Sequence, residues 1–332
     1  MLLPHTYEAA LLLMVVSMLC WGSWANTLKL TPGYRFQLFY WDYAVGLAMG
    51  AAILGLTAGS HGPDSPSFLS DMVMSPPSSI LLAACGGAVF NVANLLLVAA
   101  IDVAGLAVAF PVGIGLALVV GSVTSYLVNP KANPLLLFGG VALVVVAIIL
   151  DAAAYRRRED KAKAATTRGI VLSLVAGLLM GSFYPLVARA MSGADGNPGP
   201  GPYATAMFFA VGVLISTVPA NLLLMIKPLD GKPPVSMSGY WNALNRWHFA
   251  GIFGGIVWCC GAVANFVASG AHQVGPAVSY AIGQGATMIS ACWGVFVWKE
   301  FAGAPQAAKN LLALMFLFFV LGLTAVALAP LY

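Results

Sequence analysis

The stretch Phe110-Pro111-Val112-Gly113-Ile114-Gly115 lies inside a long apolar run, and the counterpart Tyr280-Ala281-Ile282-Gly283-Gln284-Gly285 lies in the second half of the chain. A helix in a bilayer must satisfy its backbone hydrogen bonds internally, so an interruption is tolerated only where protein or a cavity replaces them. Paired interruptions in two halves are the best sequence indication of a transporter's binding site. Both stretches therefore predict an interrupted helix at the binding site of a solute carrier.

Composition places the chain in a membrane. Of its 332 residues, 60% are hydrophobic and only 8% are charged, whereas a soluble domain carries about 25% charged residues. A membrane-spanning helix needs about 20 mainly apolar residues. Ten runs satisfy this requirement and predict an all-α membrane protein with ten transmembrane helices: 7–28, 39–57, 80–100, 104–127, 135–154, 169–190, 203–226, 249–270, 277–297 and 307–329.

The distribution of Lys and Arg predicts the orientation. Thirteen of the fifteen basic residues fall on one side of the ten runs, and Lys131 and Arg189 fall on the other. Basic residues accumulate in cytoplasmic loops. The chain is therefore predicted to be a multi-pass protein of the plasma membrane with both termini extracytoplasmic.

The basic segment 156–168 separates five runs from five. Because an odd number of spans makes the second half start from the opposite side, equivalent halves form an inverted repeat, which suits alternating access. We predict an N-terminal five-helix repeat over 1–155, a cytoplasmic linker over 156–168 and a C-terminal five-helix repeat over 169–332. Two internal matches support the repeat: 21–24 (WGSW) with 180–183 (MGSF), and Asn94 with Asn265.

Polar side chains within the apolar runs are the candidates for solute contact. Asn91 and Asn94 share a helix face in the third run, and two carboxamides offer donors and acceptors to a neutral polar solute. Tyr280, Gln284 and Thr287 form a similar stripe in the ninth run. Helix–helix contact, for which membrane proteins also use Asn, is the alternative that the sequence leaves open.

Aromatic residues add to this site. Trp258 shares a face with Asn265 in the eighth run, and a Trp ring can stack on a sugar or a heterocycle. Trp21 and Trp24 lie near the cytoplasmic end of the first run, where Trp commonly marks the membrane interface. We therefore expect at least one of these two to be an interfacial residue. The full set of predicted solute contacts is Asn91, Asn94, Phe110, Trp258, Asn265, Tyr280, Gln284 and Thr287.

Asp42 is the carboxylate that lies deepest in an apolar run. It is followed by Gly46 and Gly50 at intervals of four, a pattern typical of close helix contact. An acid there is costly unless it is paired or protonated, so Asp42 is the predicted proton-coupling residue. A structural hydrogen bond or ion pair near the cytoplasmic edge is the alternative. Asp151 lies at the end of its run, where we expect it to reach water.

Motifs of soluble and intramembrane enzymes are absent from the sequence. It has no phosphate-binding loop, no His-Glu-x-x-His and no Gly-x-Ser-x-Gly. The five cysteines lie within apolar runs without metal-ligand spacing and are predicted to be packing residues. We predict no enzyme activity, no cofactor, no metal and no nucleic-acid partner. The predicted partners are the lipid bilayer, a small solute and a coupling ion, with the proton favoured.

Four stretches carry a family resemblance: 20–24 (CWGSW), 41–43 (WDY), 86–126 with Asn94 and Gly105, and 293–301 (WGVFVWKEF). They resemble the ureide permeases and the related rhamnose and glucose porters of the drug/metabolite transporter superfamily, and the resemblance covers nearly the whole chain. The segment 156–168 departs from it, because it is short and lacks the nucleotide-binding-like motif of the plant permeases. The resemblance implies secondary, proton-coupled uptake of ureides, nucleobases or sugars.

These observations together predict a secondary active transporter, a proton-coupled symporter that imports a small neutral polar solute such as a ureide, a nucleobase or a sugar. Two alternatives remain open. One is an exporter of the same superfamily, although an exporter of lipophilic cations should carry an acid deep in the first run, and only Glu8 near its outer end is present. The other is an intramembrane enzyme or a receptor without transport.

Overall fold

The computed structural model describes residues 1–62, 64, 66–158, 166–193 and 198–332, with the side chains of all these except residues 106, 107 and 110. Ten helical segments in this part are long and apolar enough to cross a membrane, so the predicted all-α fold class with ten spans is confirmed. In chain order the first to tenth spans are Tyr7–Leu30, Phe36–Leu56, Pro77–Ala104, Leu106–Val128, Pro134–Arg158, Thr167–Ser192, Pro202–Ile226, Asn245–Gly270, Pro276–Val297 and Gln306–Leu331.

Matching start and turn signals occur in the two halves. The first and sixth spans each begin after a threonine whose side chain caps the helix: Thr6 accepts from the amide of Ala9, and Thr166 from that of Gly169. Gly105 joins the third and fourth spans, and Gly275 joins the eighth and ninth, with φ of 79° and 74°. A side chain is strained at such angles, so both hairpins require glycine.

Spans from the two halves are interleaved. The third span packs on the sixth and seventh, the eighth on the first and second, and the fifth on the tenth. Exchanging every span with its counterpart in the other half converts the third–sixth pair into the eighth–first pair. This pattern is compatible with the predicted inverted repeat, and it means that the two halves share one core rather than form separate units.

Glycines allow the closest of these contacts. A Cβ on Gly87 of the third span would overlap the carbonyl oxygen of Phe209, and one on Gly212 of the seventh span would overlap that of Ala84. Small residues let helix backbones approach in this way, which favours association within a bilayer. The third and seventh spans therefore form a tight pair beside the cavity described below.

The ninth span is interrupted as the sequence predicts. Helix Pro276–Gly283 ends at a turn over Gln284 and Gly285, and Ala286–Cys292 then continues into a π-helical turn. The prediction for 110–115 is wrong, because the fourth span is one continuous helix with Pro111 inside it. Gly113 serves packing instead, since a Cβ on Gly177 of the sixth span would lie 2.5 Å from the carbonyl oxygen of Gly113, whereas a Cβ on Gly115 would meet open space.

The connection between the fifth and sixth spans is shorter than the predicted linker over 156–168. Arg156–Arg158 form the last turn of the fifth span, where basic residues favour a helix C-terminus. Residues 159–165 of the linker lie outside the described residues.

Candidate solute cavity

A cavity of about 510 Å³ lies between the two halves, within the range of about 300–1,000 Å³ that is usual for small-molecule sites. It extends from the middle of the eighth span, at Trp258, to the ends of the first and fifth spans, at Lys29 and Tyr155. We call the end at Lys29 and Tyr155 the basic end, after Lys29 and Arg158. Its lining residues come from seven spans: Trp21, Gly22, Trp24, Ala25, Leu28, Lys29, Phe90, Asn94, Leu97, Val98, Ile101, Ile114, Asp151, Ala152, Tyr155, Met180, Phe183, Trp258, Gln284, Ala286, Thr287, Ser290 and Ala291.

Aromatic rings form one wall of the cavity. The ring of Trp21 stacks on that of Trp258 with centroids 5.7 Å apart, and Phe90 lies 4.2 Å from Trp258 on the same measure. The indole N–H of Trp21 donates to the carbonyl oxygen of Trp258 at 3.2 Å, which fixes the two rings relative to each other. Such a rigid wall can stack on a flat ring of a solute.

A second group of aromatic residues closes the bundle away from the basic end. Phe209, Tyr184, Phe266 and Tyr280 are all buried in the halves of their spans that are distant from Lys29. Their rings contact one another at centroid distances between 4.9 and 5.9 Å. The cavity is therefore accessible toward one end of the bundle, as in one state of an alternating-access cycle.

Four of the predicted solute contacts line the cavity: Asn94, Trp258, Gln284 and Thr287. The amide of Asn94 donates to the hydroxyl of Tyr40 at 3.2 Å, and the hydroxyl of Thr287 donates to the backbone carbonyl of Gln284 at 2.9 Å. The side chain of Gln284 has no hydrogen-bond partner among the described residues. Its carboxamide thus presents a free donor and a free acceptor at the helix break.

Two other predicted contacts, Asn91 and Asn265, join helices instead of lining the cavity. Asn91 accepts from Tyr40 at 2.9 Å and donates to Ser216 at 2.9 Å. Asn265 donates to the hydroxyl of Ser17 at 3.0 Å and to the carbonyl of Ser279 at 2.9 Å, and accepts from Tyr184. These bonds match the helix-contact alternative.

The remaining two predicted contacts are Tyr280 and Phe110. The hydroxyl of Tyr280 donates to the carbonyl oxygen of Ala117 at 3.1 Å, so Tyr280 also joins two spans. The side chain of Phe110 lies outside the described residues. Solute contact by Asn91, Phe110, Asn265 and Tyr280 stays a prediction.

Asp42 also lies away from the cavity. Its carboxylate accepts from the hydroxyl of Tyr240 at 2.7 Å and contacts Nδ1 of His248 at 2.8 Å. These partners belong to the short helix Ser238–Trp241 and to the start of the eighth span. The arrangement matches the structural alternative for this acid, and its role in proton coupling stays a prediction.

The ureide permease family matches residues 39–168 and 156–329, which together cover most of the sequence. The chain belongs to the ureide permease family. Ureide permease 2 of Arabidopsis thaliana is 24% identical to it over 96% of each chain, and Ureide permease 1 of the same plant is 23% identical over 94% of each. A solved structure titled "Crystal structure of protein" matches with a TM-score of 0.63 at 14% identity, covering 95% of this chain and 96% of its own, which shows a shared fold.

Membership of a permease family makes this protein a multi-pass membrane transporter of a small molecule rather than an enzyme. The sequence reasoning missed several residues that line the cavity of this permease. Trp21 and Trp24 are among them, because at least one of the two was expected to be an interfacial residue. Trp21 and Trp258 stack although their spans are far apart in the sequence, so no local sequence pattern predicts this contact.

The basic end of the cavity was also missed. Glu300 accepts from Lys29 at 2.6 Å and from the hydroxyl of Tyr155 at 2.9 Å, and Arg158 lies 3.4 Å from it. Burial by itself raises the pKa of Glu300, but the hydrogen bonds from Lys29 and Tyr155, with two nearby positive charges, outweigh it and hold the pKa below its ordinary value. Asp151, Tyr155 and Arg158 recur at helical spacing, which is the signal that could have found this face.

Proposed function

We propose that this permease is a proton-coupled symporter that imports a small neutral polar solute of the ureide, nucleobase or sugar class. The observation that carries the proposal is the unpartnered carboxamide of Gln284, which faces the cavity where the ninth span breaks. Because no described protein group occupies this amide, its donor and its acceptor are both available to a ligand in the cavity. A solute that supplies both an acceptor and a donor can bond to it at two points.

The other groups in the cavity support the same class of solute. Trp258 and Trp21 offer a flat aromatic wall, and Asn94 and Thr287 add polar atoms next to it. A ureide or a nucleobase combines a flat ring with N–H and C=O groups on its edge, and a sugar ring can stack on Trp in a related way. The names of the Arabidopsis relatives point to ureides among these.

One-sided access to the cavity supports transport by alternating access. The basic end is the cytoplasmic side if Lys and Arg follow the usual distribution, so this arrangement faces inward. Solute-induced rocking of the interleaved spans would open the aromatic cluster of Phe209, Tyr184, Phe266 and Tyr280 on the other side. The same charge distribution supports a plasma-membrane location with both termini extracytoplasmic.

One observation favours an exporter of amphipathic compounds as a second candidate. The cavity wall toward the basic end includes a group of apolar side chains: Leu97, Val98, Ile101 and Ile114. These side chains could hold the apolar part of such a compound.

A thermal-shift screen of the purified protein separates the two candidates. We expect at least one of allantoin, uracil and rhamnose to stabilise the protein in a saturable way, and Gln284→Ala to weaken that effect. Stabilisation by amphipathic cations alone would favour the exporter. If no compound of either class binds, the proposed function is wrong.

A further inference from the structure

We propose that Asp151 of the fifth span binds and releases the coupling proton of this permease. The inference rests on the transport function proposed above. It moves the coupling site from Asp42, the sequence-based candidate, to a carboxylate on the cavity wall.

Burial and hydrogen bonding single out Asp151. Its side chain lines the cavity although only 7% of the residue is exposed, and its Oδ1 is buried with no hydrogen-bond partner in the described part of the chain. The charged form of an unpartnered carboxylate is costly in such surroundings, and intramembrane acids of this kind belong to proton and ion pathways. A proton is the smallest partner that satisfies this group.

The cations near Asp151 are engaged elsewhere. Lys29 and Arg158 both contact the carboxylate of Glu300, and Tyr155 donates to it as well. No described cation forms an ion pair with Asp151 itself. The positive charges at the basic end therefore compensate Glu300 and leave Asp151 available for a mobile partner.

The elements packed against the fifth span bring few other titratable groups. The tenth span contributes Lys309, which lies exposed in the first turn of that span. The fourth span contributes Tyr126, which lies close to the end of the span that is distant from Lys29. The ninth span contributes Tyr280, bonded to Ala117, and Cys292. Glu300 is the carboxylate that acts on Asp151 electrostatically.

The other buried acids lack this combination of features. Asp42 has partners for both oxygens and lies outside the cavity. Asp71 lies in the short helix Phe68–Met74 outside the spans, where it accepts from the amide of Gly201 at 2.9 Å. Asp151 is the acid among the lining residues of the cavity.

The proposed step is a simple protonation. In the outward-facing state an O–H bond forms between a proton from the outside water and the carboxylate of Asp151, which becomes neutral. After the spans rock to the arrangement seen here, that bond breaks and the proton passes to water at the basic end. Solute and proton thus cross together, and the empty carrier returns.

Proteoliposomes with the full-length chain test the proposal in two assays on wild type, Asp151→Asn and the matched control Asp42→Asn. Counterflow at equal pH measures solute exchange, and accumulation under an inwardly directed gradient of one pH unit measures coupling. Radiolabelled allantoin, uracil and rhamnose are the probes. One proton per neutral solute allows about tenfold accumulation in wild type, because each factor of ten in proton activity supplies about 1.4 kcal/mol.

We expect Asp151→Asn to exchange solute within about tenfold of wild type, since 1.4 kcal/mol or less of altered binding leaves rates within one factor of ten. We expect the same variant to lose accumulation completely. Asp151→Glu, which can still bind a proton, should restore accumulation, and Asp42→Asn should keep it. Proton uptake on solute addition, measured with a pH dye in weak buffer, should vanish in Asp151→Asn and serves as the readout if liposome insertion of a variant fails.

Several results would overturn the proposal. Proton-driven accumulation by Asp151→Asn would do so directly, and loss of solute binding at every pH would make Asp151 a solute contact instead. Exchange without gradient-driven accumulation in wild type would remove proton coupling while leaving transport intact. Absence of both binding and exchange in wild type would refute the proposed function itself.

Discussion

Gln284 and Asn265 are two buried carboxamides with opposite surroundings, and replacing each by alanine should separate binding from stability. Gln284 has no side-chain partner in the described part of the chain and faces the cavity. A neutral hydrogen bond contributes about 0.5–1.5 kcal/mol, so losing one or two bonds to the solute should weaken binding between about 2-fold and about 150-fold. Because no protein bond is lost, Gln284→Ala should unfold close to the wild-type temperature.

Asn265→Ala is the contrasting variant. The wild-type Asn265 side chain makes three hydrogen bonds: it donates to Ser17 and to the carbonyl of Ser279, and it accepts from Tyr184. Such interhelical bonds contribute about 0.6 kcal/mol on average and up to about 1.7 kcal/mol each. The variant should therefore lose about 2 kcal/mol of stability, and at most about 5 kcal/mol.

Two measurements on the purified protein check this pair: the dissociation constant by titration calorimetry and the free energy of unfolding by circular dichroism in detergent. We expect Gln284→Ala to change the first and Asn265→Ala to change the second. If Gln284→Ala is as unstable as Asn265→Ala and binds solute as wild type does, the assignment of a free, ligand-facing carboxamide is wrong.

Three further predictions concern the wall, the orientation and the basic end. Trp258→Phe should retain more solute affinity than Trp258→Ala, as calorimetry would show, because it keeps a stacking ring; equal affinity in the two variants would exclude stacking. A cysteine at Tyr332 should react with an impermeant reagent added outside intact cells, and one at Ala162 should not; the reverse pattern would overturn the predicted orientation. Glu300→Gln should lower the melting temperature most at pH 7 and progressively less toward pH 3. A folded-state pKa held below its ordinary value gives stability that is present above the unfolded pKa and is lost as pH falls through the folded one; a constant difference across this range would contradict the role of the Lys29 contact.

Composition was sufficient to predict the ten spans, because a membrane imposes the same length and apolarity on each of them. The break at Gln284 was also predicted, whereas the one at 110–115 was not found. A glycine looks the same in a sequence whether it interrupts a helix or, like Gly113, brings two helices together. Only the packing partner distinguishes these cases.

The cavity was harder to predict than the spans. Asn91 and Asn94 are about 60° apart around their helix, yet Asn94 lines the cavity and Asn91 bonds to Tyr40 and Ser216. The depth of an acid along its span also failed to predict which acid faces the cavity. Asp151 lies near a span end but faces the cavity, because the cavity itself extends to that end.

Protection of a cavity cysteine by solute is the most direct test that this cavity is the transport site. Ser290 lines the cavity, whereas Gln306 is exposed outside it at the start of the tenth span. Ser290→Cys and the control Gln306→Cys would be placed in a background with the five native cysteines replaced, and alkylation rates measured with and without the compound that exchanges in proteoliposomes. We predict that the compound slows alkylation of Ser290→Cys and leaves Gln306→Cys unchanged. A compound that is transported yet leaves the alkylation of Ser290→Cys unaltered would contradict the account.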